Sequence, residues 1–196
     1  MTDGMGASTT TTKLHPKMNV ILTADQIAAR VQELARQIEC DFADDPPVLI
    51  AMLKGSFIFI ADLCRALRLP HHIDFMAIAA YGTGTTPSGT VRLLKDLSVN
   101  ITGRSALIVE DIIDSGQTVS YIRRLLMARQ PRRLAVVTLL DKGVRREPDV
   151  PIEYVGFTVR GGFVVGYGLD LAERYRHLPY IAELDPSELK ENIASA

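Results

Sequence analysis

The chain has no tryptophan, two cysteines and an aromatic content of only 6%, and the scarcity of thiols alone removes a class of protein. Cys40 and Cys64 are too few for the disulfide framework of a small extracellular scaffold, and Cys64 lies in an apolar helical run where a buried thiol is expected. No apolar run approaches the ~18 residues that span a bilayer, and the N-terminus lacks the apolar core of an export signal. A cytoplasmic protein with no membrane partner is expected. An excess of one charge is lacking too. At a formal net charge of −1, no global basic field draws the chain to nucleic acid or to an acidic surface. The expected partner is a small molecule.

What is present suffices for one core: 196 residues, 47% of them hydrophobic and 23% charged, read as a single domain over residues 18–196 behind a tail. Residues 1–17 are rich in Thr, Gly and Ser without periodicity, cannot bury enough surface to offset their ordering entropy, and are expected to be disordered. Thr23 and Gln26 resemble a capping box, after which Ile27, Val31, Leu34 and Ile38 recur at helical spacing to about Cys40. Pro46-Pro47 breaks the chain before a short buried strand, Val48 to Leu53, and a second helix from Phe57 to about Leu67. His71 to Tyr81 and Thr90 to Leu97 read as strands around a mobile loop, Gly82 to Gly89. Ala106 to Val109 is a buried strand, Gln117 to about Arg129 a helix, and Leu134 to Leu140 a strand. Ile152 to Val159 and Phe163 to Tyr167 are β-rich, with Arg160-Gly161-Gly162 as their turn. Alternating strands and helices imply βαβ units and an α/β fold with a parallel sheet, whose ligands bind beyond the carboxyl ends of the strands.

Three polar segments then meet at those ends: Lys54-Gly55, Glu110 to Thr118, and Asp141-Lys142. The middle one is the richest. Glu110 and Asp111 follow an apolar strand, and Asp114-Ser115-Gly116-Gln117-Thr118 combines hydroxyls, a glycine and a helix start, which suits an anion such as phosphate. Carboxylates beside a phosphate need Mg²⁺ or a ribose diol between them. A phosphorylated sugar is implied. From spacing alone, Lys54 and Lys142 could equally be solvated lysines at strand ends.

Val109-Glu110-Asp111-Ile112-Ile113-Asp114-Ser115-Gly116-Gln117-Thr118 resembles the 5-phosphoribosyl-1-pyrophosphate (PRPP) motif of the type I phosphoribosyltransferases, in the form of their hypoxanthine-guanine branch. The resemblance covers about residues 18 to 181. It implies the type I phosphoribosyltransferase fold: a parallel sheet core flanked by helices, with a small hood from the N- and C-terminal segments, partly from about 150–185. It implies purine salvage, with PRPP and a purine base as substrates, Mg²⁺ as cofactor, and a homodimer or homotetramer. N9 of hypoxanthine or guanine would attack C1′ of the ribose as pyrophosphate leaves.

The roles it implies are specific. Asp114 would face N7 of the purine as the catalytic acid or base. Glu110 and Asp111 would hold ribose hydroxyls and metal, and Ser115, Gly116, Gln117 and Thr118 the 5′-phosphate. Lys54, Gly55 and Arg176 would contact pyrophosphate, with a cis peptide at Leu53-Lys54. Lys142 would donate to the 6-oxo group of the base; an ammonium cannot accept from an amino group, which disfavours adenine. Phe163 would stack on the purine and the Val164 backbone read its edge, with Asp170 nearby, close to metal and pyrophosphate. Tyr81 would lead a loop that closes to exclude water. The chain departs from the family pattern at Ala80 before Tyr81, where a serine is usual, at Arg160-Gly161-Gly162 on the rim of the purine pocket, and at Gln117, where many relatives carry lysine. Within the enzyme class the alternative is a xanthine- or uracil-type transferase. From another class it is a PRPP-sensing regulator that binds nucleic acid, for which Arg123-Arg124 and Arg129 to Arg133 offer only short basic clusters, read more simply as solvated helix ends.

Overall fold

The computed structural model describes residues 17–81, 90–144 and 150–188. The segments expected to be a disordered tail, up to residue 16, and a mobile loop, 82–89, lie outside them. Six strands form the large sheet: β2 (Val48–Leu53), β3 (His72–Tyr81), β4 (Thr90–Lys95), β5 (Ser105–Ile113), β6 (Arg133–Asp141) and β7 (Tyr154–Thr158), in the order β4-β3-β2-β5-β6-β7. All neighbours are parallel except β3 and β4. The alternation of strand side chains between two faces divides the core. Leu49 and Ala51 of β2, Leu107 and Val109 of β5, and Ala135 and Val137 of β6 pack on one face against helices α1 (Ala24–Asp41) and α2 (Phe57–Ala66). Val48 and Ile50, Ala106 and Ile108, and Val136 pack on the other, against Val119, Ile122 and Leu126 of α3 (Gln117–Met127). Burial on both faces is why these strands read as unbroken apolar runs.

Helix α1 opens with the expected capping box, Thr23 and Gln26 each bonding the other's backbone N–H. Its terminal Asp41 accepts from the Tyr154 hydroxyl at 2.6 Å, tying the helix to β7. Burial and that contact push the Tyr154 hydroxyl far above its ordinary range.

A second, antiparallel sheet lies outside the large one, with β1 (Met18–Leu22), β8 (Val164–Val165) and β9 (Ile181–Leu184) in the order β1-β9-β8. It is the hood, and it joins the two ends of the described chain. Arg160-Gly161-Gly162 is therefore not a hairpin turn: β7 and β8 belong to different sheets, and the segment carries the chain between them. Only Val164 and Val165 of the run expected to be strand pair with a neighbour. The rest curls back through the isolated bridges Gly166 to Leu169 and Leu171 to Arg174. Cys64 is half-buried rather than buried, and both cysteines are free. No helix among the described residues is long and apolar enough to cross a membrane.

Candidate active site

Parallel strands with short loops deliver their last residues to one edge of the sheet. At the end of β2 the Leu53-Lys54 peptide is cis, as the sequence resemblance implies. Gly55 follows, in a space that tolerates no side chain: a Cβ there would lie 1.6 Å from Asp111 Oδ2. The Gly55 carbonyl is in turn covered by Gly168, whose φ of +101° and Cβ position 2.1 Å from that oxygen admit only glycine. One glycine loop is thus clasped between the central strand and the hood.

The acids differ from the sequence expectation in their setting. Strand β5 does not stop at Val109 but continues to Ile113, because β6 goes on pairing with it, Glu110 opposite Thr138 and Ile113 opposite Asp141. Glu110 and Asp111 therefore sit within the strand and project to opposite faces. Glu110 is 5% exposed. Burial, with the charge of Asp111 beside it, raises its carboxyl well above the ordinary range. Burial also raises Asp111, although the Ile112 N–H donates to its Oδ1 at 2.9 Å and the Arg176 guanidinium opposes the rise; the charge of Asp170 adds to it.

Arg176 ties this end together. Its Nη1 donates to the Gly168 carbonyl at 2.8 Å, its Nη2 lies 2.8 Å from Asp170 Oδ1, and its buried Nε has no partner among the described residues. A planar, permanently charged guanidinium whose Nη2 meets only carboxylates suits a polyanion. Lys54 Nζ lies 3.0 Å from Glu173 Oε1, a residue that sequence reasoning passed over because nothing in its neighbourhood resembles a motif. No set of three or more His, Cys, Asp or Glu among the described residues forms a metal cage. Asp111 and Asp170 instead form a pair of carboxylates that repel each other and are only partly offset by Arg176. That suits Mg²⁺, which binds through one or two carboxylates and completes its shell with substrate oxygens and water.

The phosphate turn lies next along β5. Asp114, Ser115, Gln117 and Thr118 are exposed, and α3 starts from Gly116 at φ +78°, so no side chain caps it. The first N–H groups of an α-helix have no intrahelical acceptor, which leaves this end suited to an anion. Asp114 stands two residues before that glycine, so it is not the helix cap.

At the far side, the Lys142 N–H donates to the Ile113 carbonyl at 3.0 Å, which fixes Lys142 beside Asp114. Its ammonium donates to the Gly162 carbonyl at 2.8 Å and reaches that of Gly161 at 3.4 Å. Phe163 follows directly and is 40% exposed. Its neighbour Val164 is buried and paired with Glu183. An exposed ring beside a lysine held by backbone carbonyls is a platform with one donor at its edge. Of the residues singled out in the sequence, the backbone of Tyr81 ends β3 at the same edge of the sheet.

The chain matches the sequence model of the phosphoribosyl transferase domain over residues 18–172. It is 50% identical over 169 residues to the hypoxanthine phosphoribosyltransferase of Salmonella typhimurium, across 85% of this chain and 95% of that one. To the hypoxanthine-guanine phosphoribosyltransferase of Mycobacterium avium it is 51% identical over 174 residues, 86% of each chain. The crystal structure of a hypoxanthine-guanine phosphoribosyltransferase from Bacillus anthracis superposes with a TM-score of 0.82 at 46% identity, covering 87% of this chain and 100% of that one. A match that runs through every strand of the large sheet, with half-identical relatives covered nearly in full, shows that the chain belongs to the phosphoribosyltransferase family.

Proposed function

We propose that this protein is a purine salvage enzyme that transfers the 5-phosphoribosyl group of PRPP to N9 of hypoxanthine and guanine, giving IMP or GMP and pyrophosphate. The observation that carries the reading is a crevice with two chemically distinct ends: Gly55, Asp111, Asp170 and Arg176 at one, Lys142 and Phe163 at the other, and the Asp114 to Thr118 turn between them. A sugar phosphate spans that turn, with pyrophosphate at one side of its C1′ and a base at the other.

The residues divide the work. The α3 N-terminus, with Ser115, Gly116, Gln117 and Thr118, holds the 5′-phosphate. Glu110 and Asp111 project from opposite faces of the strand end beside which the ribose lies, and their negative field favours the positive charge that develops on the sugar ring as the bond to pyrophosphate lengthens. Lys54, the Gly55 N–H and Arg176 neutralise the departing pyrophosphate. Asp111 and Asp170 would hold Mg²⁺, which when bound offsets charge on the pyrophosphate oxygens. Asp114, at the imidazole edge of the purine, takes or shares the proton released as N9 becomes nucleophilic. Lys142 donates to the 6-oxo group, Phe163 stacks on the ring, and Val164 reads the base edge through its backbone. The closure expected of residues 82–89, which lie outside the described residues, would keep water from C1′, with Tyr81 just before them.

Initial rates with hypoxanthine, guanine, xanthine, adenine and uracil at fixed PRPP and Mg²⁺ test this. Transfer to hypoxanthine and guanine with little to adenine is expected; turnover confined to xanthine or uracil would overturn the base assignment. The regulator reading is disfavoured because the arginines of the longer basic cluster, Arg129 to Arg133, are paired with acids. Arg129 Nη2 donates to both carboxylate oxygens of Asp96 at 2.7 and 2.8 Å, Arg132 lies 3.3 Å from Asp45, and Arg133 donates to the Asp41 backbone carbonyl at 2.7 Å with its Nη2 3.9 Å from the Asp41 carboxylate. These arginines are ion-paired rather than merely solvated. A cytoplasmic location, which the free thiols suit, and a homodimer or homotetramer complete the proposal. The assembly is supported by the hypoxanthine phosphoribosyl transferase of Trypanosoma cruzi, whose C-terminal region has a role in oligomeric state and enzymatic activity. Light scattering on the eluting peak of a sizing column would read the assembly.

A further inference from the structure

Glu173 occupies a place that its neighbours reserve for something else. Its Oε1 lies 3.0 Å from Lys54 Nζ and its Oε2 3.4 Å from Arg176 Nη2, so one carboxylate bridges the two cations assigned above to pyrophosphate. The backbone is committed to that placement. Glu173 has a φ of +63°, unusual for a residue with a side chain, and its N–H donates to Asp170 Oδ2 at 2.8 Å. Ala172 at +52° and Tyr175 at +74° share the strain. Such a run of left-handed residues marks a segment shaped by its surroundings rather than by local preference. Lys54 and Glu173 are both largely exposed, at 67% and 65% of their side-chain surface, so the bridge is weak and can open without unfolding anything. Its geometry nonetheless mimics a diphosphate: two oxygens, one on the lysine and one on the arginine.

We propose that Glu173 is a built-in competitor of pyrophosphate, bridging Lys54 and Arg176 and yielding both when pyrophosphate or PRPP binds, so that it weakens PRPP capture and hastens pyrophosphate release. This rests on the reading of Lys54 and Arg176 as pyrophosphate contacts. A ligand with two or more acceptor oxygens and greater charge displaces a single carboxylate, and the carboxylate returns as the product leaves. The residue thereby tunes turnover without touching the reacting atoms. Its removal should strengthen binding rather than weaken it.

The test is calorimetric titration of the full chain with pyrophosphate in the presence of Mg²⁺, comparing wild type with Glu173→Gln and Glu173→Ala. Both variants are expected to bind pyrophosphate about two- to five-fold more tightly, the range set by losing a competing exposed ion pair. KM for PRPP should fall with it, KM for hypoxanthine stay put, and pyrophosphate release slow in a product-chase experiment. Thermal melting verifies that each variant is folded. A bridge that serves only to orient Lys54 and Arg176 predicts the opposite sign, so folded variants that bind pyrophosphate equally or more weakly overturn the proposal. Wild type that fails to bind pyrophosphate at all overturns the functional reading, and this inference with it.

Discussion

At the scale of single residues, Asp114 is the sharpest case, because the structure removes the ordinary explanation for it. An aspartate just before a helix is usually a cap, and asparagine caps about as well. Here Gly116 holds the cap position and α3 receives no side-chain bond, which leaves the Asp114 carboxylate exposed in the crevice with no structural duty. Asp114→Asn is therefore expected to lower kcat by on the order of 10²-fold, the low end for general base catalysis. Melting temperature and KM for PRPP should hardly move. Near wild-type turnover would mean that no proton passes through this residue. Lys142 is held by the carbonyls of Gly161 and Gly162 and is expected to meet the base alone. Lys142→Gln should raise KM for hypoxanthine and guanine well above any change for PRPP, which steady-state kinetics with each substrate varied would reveal. An equal rise for PRPP would move Lys142 to the other end of the crevice.

At the scale of elements, the joints matter more than the strands. Edge strand β4 is pinned by a buried acid on β3: Asp74 takes the N–H of Phe75 at 2.8 Å, of Ser98 at 2.6 Å and of Val99 at 3.0 Å, with Lys95 at 3.3 Å. Burial alone would raise its carboxyl, but these donors outweigh burial and lower it below the ordinary 3.8. A carboxyl lowered on folding adds stability that is present above its unfolded value and lost as pH falls through the folded one. Asp74→Asn should thus destabilise the protein at neutral pH by about 1–3 kcal/mol, with the difference shrinking below about pH 4, as denaturant melts at several pH values would show. A constant difference at all pH would assign the effect to shape rather than charge. The other joint is Gly168 against the Gly55 carbonyl. Gly168→Ala is expected to push the Lys54-Gly55 loop aside and raise KM for PRPP several-fold more than KM for the purine; unchanged PRPP kinetics would show that the loop has room to give.

These joints also mark where the sequence was legible. The doubly buried strands, the capping box of α1 and the Glu110 to Thr118 segment could be read because periodicity and local chemistry are written in adjacent residues. Strands β1 and β9 were missed and β8 overdrawn, since strands of five, four and two residues acquire their identity from pairing with one another far apart in the chain. The carboxyl end of β5 was drawn too short because acids argue against a strand interior, and only continued pairing with β6 overrides that preference. Glu173 had no sequence signal at all. Its meaning lies in Lys54, 119 positions earlier.

At the scale of the whole molecule, the acids at the carboxyl edge of the sheet oppose folding in the pH range where Asp74 supports it. Glu110 and Asp111 are both raised on folding, chiefly by burial. A raised carboxyl binds more protons folded than unfolded, so its contribution is full below the unfolded value, 4.5 for Glu110. That contribution is lost as pH rises through the folded value. The fold thus tolerates two buried acids whose ionisation opposes folding and is useful only beside a ribose and a metal. Glu110→Gln keeps the size and removes the ionisation, so measured without ligand it should melt higher than wild type at neutral pH, by about 2–4 °C for each kcal/mol relieved. The gain should vanish at about pH 4, where wild-type Glu110 is protonated as well. The same variant should lose transfer activity, because the field beneath the sugar is gone. Melting scans from about pH 4 to about pH 8 on both proteins, with kcat alongside, decide it. A Gln variant that is less stable at neutral pH would show that Glu110 is a paired structural acid and that no stability is surrendered for catalysis at this strand.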